Sequence, residues 1–234
     1  MNKINSFSQG VRDGVSIGLG YLSVSFAFGV AAVHAGLPLW AAVAISMTNL
    51  TSAGQLAGLG VITAGGSMIE MALTQLIINL RYALMSISLS QKLDPSVRMG
   101  DRFVMAFGVT DENFAIAVAQ PKTVTARYFF GLMTLPILCW TGGTLLGAAA
   151  GSILPASVLS ALGVAIYGMF VAIILPVAKR SAAVAGVALG AAALSCCFAW
   201  IPMLNRVSGG FAIILCAVIA AAVGAILRPV EEEA

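Results

Sequence analysis

The stretch RFVMAFGVTDENFAIAVAQ, residues 102–120, places two adjacent acids, Asp111 and Glu112, inside an otherwise apolar segment. A second apolar stretch, MIEMALTQLIINLRYALMSISLS at residues 68–90, carries Arg81 near its middle. A charge at bilayer depth costs at least about 2.5–3.5 kcal/mol, so it persists where it is paired or faces a cavity. These basic and acidic centres therefore predict a site for a polar solute or a proton.

The composition predicts an integral membrane protein. The chain of 234 residues is 60% hydrophobic and 9% charged, whereas one membrane span needs only about 20 apolar residues. Its basic residues gather in short gaps between apolar segments, where they act as topology signals, so the net charge of +3 indicates no nucleic-acid partner. The four cysteines lie in apolar segments without CxxC spacing, and we expect neither disulfides, nor a metal, nor a cofactor. Residues 1–234 are predicted to form a single polytopic membrane domain.

Eight apolar segments follow one another along the chain. Eight simple crossings from a cytoplasmic N-terminus would place Lys92, Arg98 and Arg102 outside, although basic loops are typically cytoplasmic. Eight spans with a local exception to this rule remain the alternative. The segments cover residues 14–34, 38–65, 68–90, 103–120, 126–150, 156–178, 181–200 and 210–228.

Two segments contain polar breaks, TNLTSAGQ at residues 48–55 and GVTDEN at residues 108–113. If the first segment is re-entrant from outside and the second from inside, every basic loop except that of Arg206 falls inside, and both termini are cytoplasmic. We therefore predict an all-α integral membrane protein with about six transmembrane helices and two re-entrant or broken helices. Opposed broken helices are typical of transporters with inverted repeats. A weak echo between residues 34–38 and 150–155 allows such a repeat.

Small residues recur at every fourth position in two segments, which lets helices approach closely. We expect these ladders to serve internal helix packing, with a contact to a second subunit as the alternative. The first ladder is Gly143, Gly147 and Gly151, and the second is Ala182, Gly186 and Gly190.

Arg81 is the strongest candidate for a residue of a transport site. Its guanidinium could bind a carboxylate through two parallel hydrogen bonds, or it could pair with Asp111 or Glu112. The structural alternative is a buried ion pair without a transport role. Asn79 and Tyr82 flank it as candidate hydrogen-bonding neighbours, and Tyr82 is equally suited to packing.

Asp111 and Glu112 would point about 100° apart on a helix, so they cannot both face one partner. We expect one of them to neutralise Arg81 or bind an ammonium group, and the other to carry a proton. The alternative is a water-exposed helix cap at the membrane interface.

Ser52, Gly54 and Gln55 follow the first break. A half-helix that starts there would offer free backbone amides to a carboxylate. The alternative is a hydrogen-bonded kink that packs internally.

Enzyme and scaffold functions find little support in the sequence. It contains no HExxH or P-loop motif, so we expect no enzyme, and energy must come from a gradient or an associated subunit. A non-transporting scaffold would leave the three deep charges without a role.

The motifs SAGQ at residues 52–55, NLRY at 79–82 and GVTDENFA at 108–115, in this order and spacing, resemble the AzlC family of branched-chain amino acid exporters. The resemblance implies export of valine, leucine, isoleucine or similar neutral amino acids across the bacterial inner membrane. It also implies a small, separately encoded membrane subunit of the AzlD type.

The expected function is that of a secondary exporter. The substrate carboxylate would meet Arg81 or the amides near Gly54 and Gln55, and its ammonium group would meet Asp111 or Glu112. Proton exchange at one of the two acids would couple transport to the proton gradient. The alternative is a channel or passive pore for small solutes or ions, in which the same charges form a selectivity ring.

Overall fold

The computed structural model describes residues 5–151, 155, 157, 168, 171 and 174–227 of the chain. Every regular element over these residues is a helix, which confirms the predicted all-α class. The helices are α1 Phe7–His34, α2 Leu39–Thr48, α3 Ser52–Thr63, α4 Met68–Ser90, α5 Met99–Phe107, α6 Asp111–Val118, α7 Ala126–Ala150, α8 Ala182–Trp200 and α9 Gly209–Leu227, with a short 3-10 turn at Leu204–Arg206.

Five of the described helices are long and apolar enough to cross a membrane, namely α1, α4, α7, α8 and α9. The sixth predicted span, residues 156–178, lies mostly outside the described residues. The chain divides into two compact units, Met1–Gln55 with Asn79–Leu162 and Leu56–Ile78 with Gly163–Ala234. All predicted site residues belong to the first unit. The assignment of residues 1–234 to one domain stays a prediction.

Helices α1 and α7 of the first unit pack against each other through glycines. A Cβ atom added to Gly10 would lie 2.0 Å from the carbonyl oxygen of Tyr128, and one added to Gly147 would lie 2.0 Å from that of Phe26. No side chain fits at such distances, so the backbones can approach this closely only because these residues are glycines. Internal packing is thus confirmed for the first predicted ladder, which includes Gly147.

The order of these contacts shows that α1 and α7 run parallel. Gly10 lies against Tyr128 near the start of both helices, and Gly29 lies against Ala148 near their ends. The two similar segments, residues 34–38 and 150–155, therefore follow helices that run in the same direction. Part of the second segment lies outside the described residues, and the inverted repeat stays a prediction.

The second unit contains α8 and α9, with an apolar groove of about 440 Å³ between them. Cβ atoms added to Gly186 or Gly190 would meet no atom within 4 Å in the described part of the chain, so internal packing of this second ladder stays a prediction. At the other end of α9, the buried carboxylate of Glu70 accepts hydrogen bonds from the Ser208 hydroxyl at 2.6 Å and the Gly210 amide at 2.9 Å.

Both predicted breaks are present, and a threonine begins the helix after each of them. Asn49 ends α2 in an extended conformation, with φ −143° and ψ 115°. The Thr51 hydroxyl then accepts a hydrogen bond from the Gly54 amide at 3.3 Å. At the second break, the Thr110 hydroxyl accepts one from the Asn113 amide, also at 3.3 Å. Each threonine satisfies a free amide of the following half-helix, as helix-capping side chains do.

The segment α5–α6 begins and ends at the same end of the first unit. The Asp94 amide donates to the Val124 carbonyl oxygen, and the Val124 amide donates to that of Lys92, both at 2.9 Å. The chain before α5 and the chain after α6 thus lie side by side. At 1.5 Å per residue each half-helix is about 12–14 Å long, less than half of a hydrocarbon core of about 30 Å. This geometry agrees with the predicted re-entrant element, whose place in the membrane stays a prediction.

Asp94 holds this junction together. Its carboxylate accepts hydrogen bonds from the Ser96 hydroxyl at 2.6 Å and the Thr123 hydroxyl at 3.1 Å. These bonds, those from Ser96 first, hold the pKa of Asp94 below its ordinary value because they favour the charged carboxylate. Near neutral pH the carboxylate is therefore ionised and accepts both bonds.

The segment α2–α3 starts at the opposite end of the first unit. The Asn5 side-chain amide donates to the Thr123 carbonyl oxygen at 2.5 Å, so α1 begins where α4 ends and α7 begins. Because α1 is long enough to cross a membrane, α2 starts on the far side. Because α3 ends in the second unit, the first re-entrant element stays a prediction.

Candidate functional site

Arg81 on α4 forms a salt bridge with Asp111, the first residue of α6. Its Nη2 atom lies 3.0 Å from Oδ2 of Asp111, and the two side chains are 46% and 47% exposed. Of the two acids offered by the sequence, Asp111 is therefore the one that neutralises the arginine. Since protein covers only about half of each side chain, both keep surface on which a second ligand can act.

Tyr82 supports the arginine from the next position on the same helix. The Arg81 Nη2 atom donates to the Tyr82 hydroxyl at 3.2 Å. The guanidinium carbon also lies 5.0 Å from the centroid of the Tyr82 ring, a distance at which a cation is attracted to an aromatic face. Tyr82 thus does more than pack, because it fixes the guanidinium beside Asp111.

Glu112 has a different partner. Its Oε2 atom accepts a hydrogen bond of 2.5 Å from the hydroxyl of Tyr21 on α1. Adjacent residues of a helix point about 100° apart, so one acid reaches α4 and the other reaches α1. The sequence predicts the divergence of the two acids, but it contains no local signal for Tyr21, which lies 91 residues away from Glu112.

Gln55 lies inside the first break, with only 2% of its surface exposed. Its side-chain amide donates to the Ser46 hydroxyl and to the Asn49 carbonyl oxygen, each at 2.9 Å. The Ser46 hydroxyl in turn lies 2.6 Å from that of Thr144 on α7. Gln55 thus ties the two half-helices together. These contacts favour the internally packed kink over direct substrate binding by this residue.

Ser52 and Gly54 lie in the first turn of α3. Ser52 is partly exposed, whereas the Gly54 amide is held by the Thr51 hydroxyl. A role for either residue in binding a substrate stays a prediction.

A cavity of about 220 Å³ lies where the two breaks meet α4. Its polar lining comes from the first break and from Asn79 and Tyr82, which are three positions apart and so share a helix face. Of the predicted site residues only Asn79 lines it, and Arg81, which is paired with Asp111, contacts the lining residue Tyr82. The lining residues are Thr48, Asn49, Leu50, Thr51, Asn79, Tyr82, Ala106, Phe107 and Val109.

The chemistry of the lining suits a small molecule with one apolar part. Hydroxyl and amide groups from Thr48, Asn49 and Thr51 lie at one break, and the side chains of Phe107 and Val109 lie at the other. By contrast, the larger groove between α8 and α9 is lined by aliphatic residues and glycines. Over the described residues, no group of three or more His, Cys, Asp or Glu side chains could hold a metal ion.

Comparison with known proteins places the chain among membrane proteins. The family described as "AzlC protein" matches residues 16–154. An "Uncharacterized membrane protein" of Archaeoglobus fulgidus is 32% identical over 197 residues, which cover 83% of this chain and 86% of that protein. The "Inner membrane protein YgaZ" of Escherichia coli is 29% identical over 151 residues, covering 63% of this chain and 62% of its own.

No solved structure matches the chain at a significant level. The family match spans more than half of the chain and contains both breaks, the salt bridge and the cavity. The five long apolar helices agree with the membrane relatives in making this a multi-pass membrane protein. The chain belongs to the AzlC family of membrane proteins.

Proposed function

We propose that this protein is a secondary transporter, not an enzyme, and that it exports branched-chain or similar neutral amino acids in exchange for protons. The observation that carries the proposal is the polar cavity at which two broken helices meet α4. Non-helical backbone at membrane depth is tolerated only where protein buries it or where it lines a water-filled cavity. Two such breaks at one cavity are typical of transporter binding sites.

The breaks can recognise both charged ends of an amino acid. Thr48 and Phe107 end half-helices, whose free carbonyl groups favour an ammonium group. Thr51 precedes a half-helix, whose free amides favour a carboxylate. Leu50, Phe107 and Val109 supply an apolar wall for an aliphatic side chain.

The salt bridge beside the cavity provides a gate. Arg81 is paired with Asp111 at 3.0 Å, but both side chains are half exposed. A substrate carboxylate that competes with Asp111 for the guanidinium would open the pair and separate α4 from the start of α6. Glu112 is bonded to a phenol instead of a cation, which suits it to carry the proton.

The loop charges and the family support a cytoplasmic location of both termini in a bacterial inner membrane. Cytoplasmic termini place Lys92, Arg98, Lys122 and Arg127 on the inner side, in agreement with the positive-inside rule. An inner-membrane location agrees with the name of the Escherichia coli relative, an inner membrane protein. We further propose that a small membrane subunit of the AzlD type assembles with the protein, since the family resemblance implies one.

Reconstituted protein tests the proposal. Liposomes loaded with leucine should take up external radiolabelled leucine by saturable exchange, with and without a co-purified small subunit. Arg81→Ala and Asp111→Asn should each lower the exchange rate by roughly 10- to 100-fold, since a hydrogen bond to a charged group contributes about 1.5–3 kcal/mol. Arg206→Ala, a change in the 3-10 turn of the second unit, serves as the control for loss of a positive charge.

Two outcomes would contradict the proposal in different ways. If both variants exchange leucine like the parent protein, the salt bridge has no part in transport. If the parent conducts ions or solutes without exchange, the protein is a channel, because the same opposed breaks can line a pore.

A further inference from the structure

Tyr21 is the buried partner of Glu112 and belongs to α1, an unbroken helix. Its side chain is 8% exposed, and its hydroxyl donates to Oε2 of Glu112 at 2.5 Å. Because a buried hydroxyl has no water to turn to, its orientation depends on the protonation of the carboxyl group beside it.

The ring of Tyr21 extends this contact toward the first break. It meets Trp140 edge-on, with ring centroids 5.1 Å apart and an interplanar angle of 64°. Trp140 is 2% exposed, and its indole nitrogen donates to the Asn49 carbonyl oxygen at 3.2 Å. Asn49 ends α2 and lines the cavity. Three contacts thus join Glu112, an exposed residue at one break, to the cavity wall at the other.

We propose that Tyr21 is a positioning residue that couples the protonation of Glu112 to the cavity wall at Asn49. The inference rests on the proposed proton-coupled transport and adds how the proton is sensed at the binding site. An ionised Glu112 accepts the hydrogen of the phenol and holds the ring in place. A protonated Glu112 carries its own hydrogen, so the phenol must accept it or turn away.

The charges around Glu112 agree with this assignment. Its neighbour Asp111 is paired with Arg81 on α4, and the Tyr82 hydroxyl of the same helix accepts a hydrogen bond from that arginine. On α7, the uncharged Trp140 stands against the phenol ring, and the titratable side chains of that helix are Arg127, Tyr128 and Cys139. Arg81 is thus paired with Asp111, and the side-chain hydrogen bond to Glu112 comes from the phenol.

The first experiment compares pH profiles of leucine exchange in liposomes. Tyr21→Phe removes a donor from the charged carboxylate, which favours the protonated form, so the midpoint of the profile should move upward by about one pH unit. Tyr128→Phe is the matched control. It removes another phenol-to-carboxylate bond, that to Asp13 at 2.8 Å, and should leave the midpoint unchanged.

The second experiment follows the contacts from Glu112 to Asn49 by tryptophan fluorescence and needs no transport assay. Trp40 and Trp200 are 71% and 80% exposed, and replacing both with Phe leaves Trp140 as the fluorophore. Its emission should change with pH in this background and stay constant once Glu112→Gln is added. When Tyr21→Phe replaces Glu112→Gln in this background, the pH midpoint of the emission should shift by the same amount as the pH midpoint of transport.

The outcomes separate this inference from the proposed function. If the parent shows no exchange of leucine, the transport proposal fails, and the fluorescence titration still decides the role of Tyr21. If the parent exchanges leucine and Tyr21→Phe leaves both midpoints in place, the inference is overturned while transport stands. Identical shifts in Tyr21→Phe and Tyr128→Phe would also overturn it, because the effect would not belong to this contact chain.

Discussion

At the scale of single residues, the second break separates two neighbouring carboxylates by giving them unlike partners. Asp111 faces a guanidinium, whose charge it cancels. Glu112 faces a phenol, which supplies one hydrogen bond and no charge. The two adjacent acids are thus held by different helices, Asp111 by α4 and Glu112 by α1.

Gln55 gives a prediction at this scale. Gln55→Ala removes two buried hydrogen bonds that tie α3 to the end of α2, and we expect a loss of about 1–3 kcal/mol in the free energy of unfolding. Ser52→Ala changes a partly exposed side chain in the same turn and should cost under about 0.5 kcal/mol. Reversible denaturation in detergent micelles measures both. Equal stability of the two variants would show that Gln55 does not hold the break.

The sequence predicts some of these residue contacts and leaves others open. Helix geometry shows that Asp111 and Glu112 diverge, but the phase of α6 relative to α4 decides which acid meets Arg81. That phase depends on tertiary packing. Tyr21 and Trp140 could not be predicted at all, since nothing local in either segment indicates a partner so far along the chain.

At the scale of elements, both breaks were predictable because their causes are local. Thr51 and Thr110 each supply a hydroxyl to an amide three residues ahead, and Gly108 ends α5. Such capping signals are contained in four to six consecutive residues. The close approach of α1 and α7 was only partly predictable. The glycine ladder indicates a seam, but its partner helix lies more than a hundred residues away.

The glycine seam gives a prediction for an element. A methyl group at Gly147 would lie 2.0 Å from the Phe26 carbonyl oxygen, whereas one at Gly142 on the same helix meets no atom within 4 Å. Gly147→Ala should therefore destabilise the protein by about 1–3 kcal/mol or more. Gly142→Ala should be neutral or slightly stabilising, because alanine favours helix over glycine by about 1 kcal/mol. Thermal unfolding in detergent distinguishes them, and equal melting temperatures would contradict a tight seam.

At the scale of the whole molecule, the re-entrant segment α5–α6 makes a topological prediction. Residues 96 and 122 flank it and should lie on one side of the membrane, since the chain before and after the segment is joined by backbone hydrogen bonds. In a variant without native cysteines, Ser96→Cys and Lys122→Cys should react with an impermeant thiol reagent from the cytoplasmic side. Ala64→Cys should react from the other side.

The same labelling separates the two topologies offered by the sequence. With eight simple crossings, residues 96 and 122 would lie on opposite sides, and the two cysteines would label from different faces. The charge pattern favours the re-entrant arrangement because basic loops stay cytoplasmic. This charge argument needs only the sequence, because Lys92, Arg98 and Arg102 fall in one loop. The division of the chain into two units has no comparable signal, since two of its three boundaries fall inside α3 and α4.

The parallel seam between α1 and α7 has a consequence for biosynthesis. The ribosome adds Gly10 about ten seconds before its contact residue Tyr128, since translation adds about 5–20 residues per second. During that interval α1 enters the bilayer without its closest partner, and its glycine face meets lipid or the insertion machinery. The glycine face of α1 is therefore covered only after α7 has been inserted. Substitutions along the seam should then reduce the yield of inserted protein before any step of transport is affected.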